Sequence, residues 1–98
     1  MSREVTAFPK PRRLESKSYL KWIRLQPCLN HPGRPSEAHH TTAKSVFGSD
    51  YRALPFCREC HQQLHRIGKM TFGVRYGIQY EEQALRLLEI YVSELEAG

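Results

Sequence analysis

The sequence predicts a small α+β domain. Two short strands and a ligand-bearing helix are held by a metal knuckle, with an N-terminal helix on one flank and a C-terminal amphipathic helix on the other. Three observations carry this reading. The 98 residues leave room for one domain with a thin core, a size at which a bound metal often supplies part of the folding energy. All three cysteines and all five histidines fall between positions 28 and 65. The last stretch of the chain repeats apolar residues at helical spacing.

The elements follow in order. Met1 to Arg13 is polar, with Pro9 and Pro11 two apart, and reads as an extended arm reaching to about residue 15. Ser16 or Ser18 suits the N-cap of a short helix through Tyr19, Leu20, Trp22, Ile23 and Leu25, which Pro27 stops. Residues 28–40 lack regular periodicity and read as a knuckle followed by a short strand. Lys44 to Asp50 reads as a loop with Gly48 at its tip. Ala53 to Phe56 suits a second strand, at an edge because Pro55 has no N–H to donate. Cys57 to Ile67 reads as a helix with Gly68 as its stop, and residues 69–80 as a connector. Glu81 to Glu96 is the clearest helix. Ala84, Leu85, Leu88, Tyr91, Val92 and Leu95 form one apolar face, and Glu81 and Glu82 complement the helix dipole in its first turn. One domain over 1–98 therefore comprises a basic arm (1–15), a metal-bearing core (28–67) and a C-terminal helix (81–96).

Charge points to the partner. The net charge is +5, and it is uneven. Residues 1–24 carry seven Lys/Arg against two Glu, residues 25–69 six against three, and residues from 70 onward two against five. A basic front and centre attracts polyanions, of which DNA is the expected one. Arg12, Arg13, Lys17, Lys21, Arg24 and Lys44 are the candidate phosphate contacts. No apolar run approaches transmembrane length, and the N-terminus lacks a signal-peptide core. The expectation is a cytoplasmic protein with no membrane partner. Its thiols stay reduced there and read as metal ligands rather than disulfides.

The Cys/His stretch contains two patterns. The first is Cys28-x-x-His31 followed by Cys57-x-x-Cys60. Each two-residue gap turns both side chains toward one ion, and four N/S donors describe a closed structural zinc site. Buried thiols with a surface His31 are the bland alternative. The second pattern is Glu37-Ala38-His39-His40 with His61 and His65. His61 and His65 are four apart and share a helix face, giving half of a divalent-metal site that His39 could complete. Neighbours on a strand point to opposite sides, so His39 and His40 serve one site only where the strand ends or turns.

These motifs, Cys28-x-x-His31, His39-His40 and Cys57-x-x-Cys60-His61-x-x-x-His65, resemble the HNH endonucleases of the ββα-metal, or His-Me finger, type. The resemblance covers roughly residues 19–78. The run Ser49-Asp50-Tyr51-Arg52-Ala53-Leu54-Pro55-Phe56-Cys57 and the later Phe72, Tyr76, Gly77 and Ile78 look like small phage and prophage members, similar to the Ref and Rap recombination nucleases. The resemblance implies a general base at His40 and catalytic-metal ligands at His39, His61 and His65. It implies structural zinc at Cys28, Cys57 and Cys60, with His31 where the family usually has Cys. The family's central Asn falls about where Arg52 stands. That leaves two routes for the catalytic group: Arg52 contacts the scissile phosphate, or backbone groups alone hold His40. The implied function is hydrolysis of DNA phosphodiesters by a His base and one divalent cation (Mg²⁺, Mn²⁺, Ni²⁺, Co²⁺ or Zn²⁺), in phage-type DNA processing or recombination. A recombination or phage packaging protein is the expected second partner.

Three rival readings use the same residues. A non-catalytic zinc module for DNA or protein uses the knuckle and the charge but leaves His39-His40 and the His61/His65 face without a purpose. A second places His61 or His65 in the zinc shell instead of His31. A third makes the acidic C-terminal helix a docking element on a larger assembly.

Overall fold

A computed structural model of the chain describes residues 14–40 and 48–98. Among them are four helices and one two-stranded sheet: α1 (Lys17–Arg24), β1 (Ser36–His39), a single 3-10 turn (Asp50–Arg52), β2 (Leu54–Cys57), α2 (Arg58–Ile67), α3 (Lys69–Tyr76) and α4 (Tyr80–Ala97). The architecture is α+β. No helix among the described residues is long and apolar enough to cross a membrane.

Helix α1 begins at Ser16, whose Oγ accepts the Tyr19 N–H at 3.1 Å; Ser16 rather than Ser18 is the cap. This satisfies one of the N–H groups that a helix start leaves without a partner. Tyr19 and Ile23, four apart, are fully buried. Lys17, Lys21 and Arg24 line the exposed side at spacings of four and three. Leu14 belongs to the body of the domain: it bridges Ser49, and its carbonyl accepts the Asp50 N–H at 2.8 Å.

Strands β1 and β2 are antiparallel, with Ser36 opposite Cys57, Glu37 opposite Phe56, Ala38 opposite Pro55 and His39 opposite Leu54. In a two-stranded sheet both strands are edges, so Pro55 is tolerated. All four β2 residues are buried. The core gathers Tyr19, Ile23, Leu54, Phe56, Leu64, Phe72, Ala84 and Leu87 around the three cysteines. Phe56 meets Phe72 edge-on at 5.6 Å.

Two expectations are corrected. Residues 69–76, read as a connector, form helix α3. Thr71, Gly73 and Val74 lower its intrinsic helix propensity, and tertiary contacts supply the stability instead. Phe72 is fully buried, and a Cβ on Gly73 would lie 2.8 Å from the Tyr80 ring, so the close approach of that ring requires glycine. Gly77, at φ 67°, ends the helix, and the Ile78 N–H returns to the Gly73 carbonyl at 2.9 Å. The second correction concerns α4. Its buried residues are Ala84 and Leu87, while Leu85, Val92 and Leu95 are exposed. The inward face is rotated from the apolar stripe because α4 packs against the 3-10 turn and β2, and Tyr91 joins Tyr19 and Trp22 in an aromatic cluster.

Candidate metal centres

The first centre is built at the end of β2. Cys57 closes the strand and caps α2, where its Sγ accepts the Cys60 N–H at 3.5 Å. Cys60 lies one turn into the helix. Cys28 comes from the knuckle after α1, which docks through a Leu29 N–H to the Pro55 carbonyl at 3.1 Å. The three thiols lie within 4.8 Å of one another, and all are buried. His31 joins them: its Nδ1 is 3.1 Å from Cys60 Sγ and 3.7 Å from Cys57 Sγ.

The surroundings favour negative sulfur at Cys28 and oppose it at Cys60. The Asn30 and His31 N–H groups donate to Cys28 Sγ at 3.4 and 3.3 Å, and Asn30 Nδ2 donates to Cys60 Sγ at 3.6 Å. Burial pushes the Cys60 thiol up to about 12; the Asn30 bond works against this, while the neighbouring Cys57 and Cys28 add to it. Burial also acts to raise Cys28, but the N–H donors of Cys57, Asn30 and His31 outweigh it and hold that thiol below its ordinary value. Three thiols crowded in one buried place resist ionising together unless a cation joins them. The cysteine group could therefore hold a metal ion such as zinc, whose preference is for thiolate and imidazole donors.

The second centre joins β1 to α2. Glu37 and His39 are two apart on the strand and so face the same side, toward the helix. The His39 ring lies 4.7 Å from His61 and 5.2 Å from His65, which are 4.8 Å from each other. One donor atom from each of the three falls within 4.8 Å of the others. Burial, and then the charges of His61, His65, His40 and Lys69, push His39 down to about 4. It is neutral near pH 7, the form that can bind a metal. Glu37 Oε1 lies 2.9 Å from His61 Nδ1. A carboxylate can only accept, so this contact places the proton on Nδ1 and turns the Nε2 lone pair outward.

The His39 shift has a consequence for stability. Its folded value near 4 lies below the ordinary 6.5, so the unfolded chain binds the proton first as pH falls. This contribution is whole above about 6.5 and is lost on the way down to about 4. At about pH 5 the loss amounts to about 2 kcal/mol. Urea midpoints at about pH 7.5 and about pH 5, without added divalent metal, should show wild type losing about that much more than His39→Gln. Equal losses would mean that His39 is not held neutral by burial.

His40 lies beyond the second centre, at the end of β1. Its Nε2 is 2.8 Å from Asp50 Oδ1. The Asp50 side chain is 4% exposed and that of His40 18%. The other Asp50 oxygen, Oδ2, accepts the Ser16 N–H at 2.8 Å. Arg52, two residues on, is exposed and lines a groove with Tyr51, Lys69, Glu81, Ala84, Leu85 and Leu88. A buried carboxylate, rather than backbone groups alone, therefore meets the His40 imidazole; a contact of Arg52 with phosphate is a separate matter. The reason is the 3-10 turn, which faces Asp50 inward and Arg52 outward.

The structure therefore brings Cys28, His31, Cys57 and Cys60 together, and His39, His61 and His65 together. It leaves neither His61 nor His65 in the thiol group. Lys17, Lys21 and Arg24 share one exposed face of α1; Arg12, Arg13 and Lys44 lie outside the described residues. Glu37 and Asp50 stood within the quoted motifs, but the sequence assigned neither of them a role. Strand alternation signals Glu37, two residues before His39. Asp50 gave no local signal, because it meets His40 from ten residues further along the chain.

A family model described as a protein of unknown function, DUF968, matches residues 3–92. The protein named "Uncharacterized protein YdfU", of Escherichia coli strain K12, is 32% identical over 79 residues. The match covers 76% of this chain but 22% of that relative, so the chain spans about a fifth of its length. No solved structure matches. With the family model running over nearly the whole sequence, the chain belongs to the DUF968 family.

Proposed function

We propose that this chain is a metal-dependent DNA endonuclease of the HNH (ββα-metal, His-Me finger) type. Cys28, His31, Cys57 and Cys60 hold a structural zinc, and His39, His61 and His65 hold a catalytic divalent cation. The observation that carries this reading is the convergence of His39 from β1 with His61 and His65 from α2, with a carboxylate-paired His40 next in sequence to His39. The closed thiol group needs none of these four histidines.

The protein's own groups divide the work. His40 takes the proton from the attacking water, a task suited to an imidazole near neutral pH and worth about 10²–10⁴-fold in rate. A divalent cation, when bound, supplies stabilisation of the charge that builds on the phosphoryl and leaving 3′ oxygens. Glu37 engages His61 Nδ1, which leaves Nε2 as the nitrogen that would bind that cation. Three imidazoles favour Mn²⁺, Co²⁺, Ni²⁺ or Zn²⁺ over Mg²⁺, which prefers oxygen donors. The basic face of α1, with Lys17, Lys21 and Arg24, attracts the phosphate backbone without reading sequence. Phage-type DNA processing or recombination in the cytoplasm is the setting this activity fits, with a recombination or packaging protein as a further partner.

The test is supercoiled circular DNA incubated with the zinc-loaded protein and each of the five ions in turn. The reading expects nicked circles with at least one ion, and none once a chelator is added. DNA binding with no cutting under any ion would favour a non-catalytic zinc module.

A further inference from the structure

We propose that Asp50 is a positioning residue that locks His40 in the tautomer protonated on Nε2, making Nδ1 the atom that accepts the proton from water. This rests on the reading of His40 as general base. The carboxylate is buried, and its two oxygens have separate donors: His40 at 2.8 Å on Oδ1 and the Ser16 N–H at 2.8 Å on Oδ2. Its backbone N–H is bound to the Leu14 carbonyl at 2.8 Å. A carboxylate pinned on both oxygens and on its own backbone has little freedom to turn. It accepts hydrogen bonds only, so the imidazole nitrogen facing it must carry the proton. The opposite nitrogen, Nδ1, then holds the lone pair.

The proton balance follows. A water O–H bond breaks and its proton goes to Nδ1, giving an imidazolium whose charge faces the Asp50 carboxylate. The water oxygen bonds to phosphorus as the bond from phosphorus to the 3′ oxygen breaks. That oxygen takes a proton from solvent, leaving a 3′-hydroxyl and a 5′-phosphate. Ser16 has a second role in this arrangement. Its N–H fixes the carboxylate while its Oγ caps α1, so seating of that helix sets the orientation of the base.

The near-isosteric variant separates this role from a merely structural one. In Asp50→Asn the amide must offer its oxygen to one neighbour and its NH₂ to the other. The Ser16 N–H is a fixed donor and takes the oxygen. The NH₂ then faces His40 Nε2 and drives the proton to Nδ1, where it blocks the base. Imidazole nitrogen NMR on the full-length zinc-loaded chain should show His40 protonated on Nε2 in wild type and on Nδ1 in Asp50→Asn. Asp50→Ala should leave it mixed. On circular DNA, kcat should fall about 10²-fold in Asp50→Ala through lost orientation. It should fall further in Asp50→Asn, toward the roughly 10⁴-fold seen when an Asp–His pair holds the wrong tautomer. KM and zinc content should hold in both. In a His40→Ala background neither change should cost more.

Wild-type His40 protonated on Nδ1, or Asp50→Asn with wild-type kcat and tautomer, would overturn the proposal. If Asp50→Ala fails to fold, wild type and Asp50→Asn still decide it. Wild-type protein that cuts no DNA defeats the nuclease reading, while the NMR comparison still decides whether Asp50 sets the His40 tautomer.

Discussion

Replacing Cys57 by Ser is expected to strip the bound metal and unfold the chain. Cys57 acts in three places at once: its thiol belongs to the metal group, its backbone ends β2, and its Sγ caps α2. Structural zinc contributes about 10–16 kcal/mol in small zinc-binding peptides, whereas a whole domain is stable by about 5–15 kcal/mol. Losing the ion therefore removes about as much free energy as the fold has. Metal analysis should find about one zinc per wild-type chain and essentially none in Cys57→Ser. Far-UV circular dichroism should show the variant largely unfolded at 25 °C. A folded Cys57→Ser chain, or well-folded wild type without a transition metal, would refute the structural role.

On the proposed nuclease reading, replacing His61 by Ala is expected to weaken the catalytic metal and leave the structural one in place. His61 is one of three imidazoles in its group and sits next to Cys60 in sequence, yet its ring belongs with His39 and His65. The metal concentration for half-maximal cleavage should rise by at least about 10²-fold, since loss of a mere supporting partner costs about 10–100-fold. Glu37→Ala, which removes the carboxylate behind His61, should fall in that smaller range. In both variants excess metal should restore turnover, because the base is intact. A His61→Ala protein with an unchanged metal requirement would remove His61 from the ligand set.

Which side chains group as candidate metal ligands was more legible in the sequence than the contacts between elements. Short-range spacing did most of the work. Two-residue gaps marked Cys28/His31 and Cys57/Cys60, and a four-residue gap put His61 and His65 on one helix face; each is a statement about neighbours on one element. The α1 and α2 boundaries were legible for the same reason, through Ser16, Pro27 and Gly68. What escaped depends on contacts between elements. Helix α3 is made viable by Phe72 in the core and by the Gly73–Tyr80 approach, neither of which periodicity can report. The α4 stripe gave an apolar face but not which side turns inward, and Leu87 is buried while Leu85 is left exposed. Asp50 is ten residues from His40, beyond any local pattern.

The most direct test of the central claim compares wild type with His40→Ala on supercoiled circular DNA across a metal titration, with zinc content and DNA affinity measured on the same samples. The account predicts that wild type nicks the circles and that His40→Ala loses about 10²–10⁴-fold in rate. The variant should keep its zinc and its DNA affinity, and it should stay slow at every metal concentration, because proton acceptance rather than charge stabilisation is missing. Cleavage by His40→Ala at the wild-type rate, or its recovery by metal alone while His39→Ala stays inactive throughout, would contradict the assignment of His40 as the base.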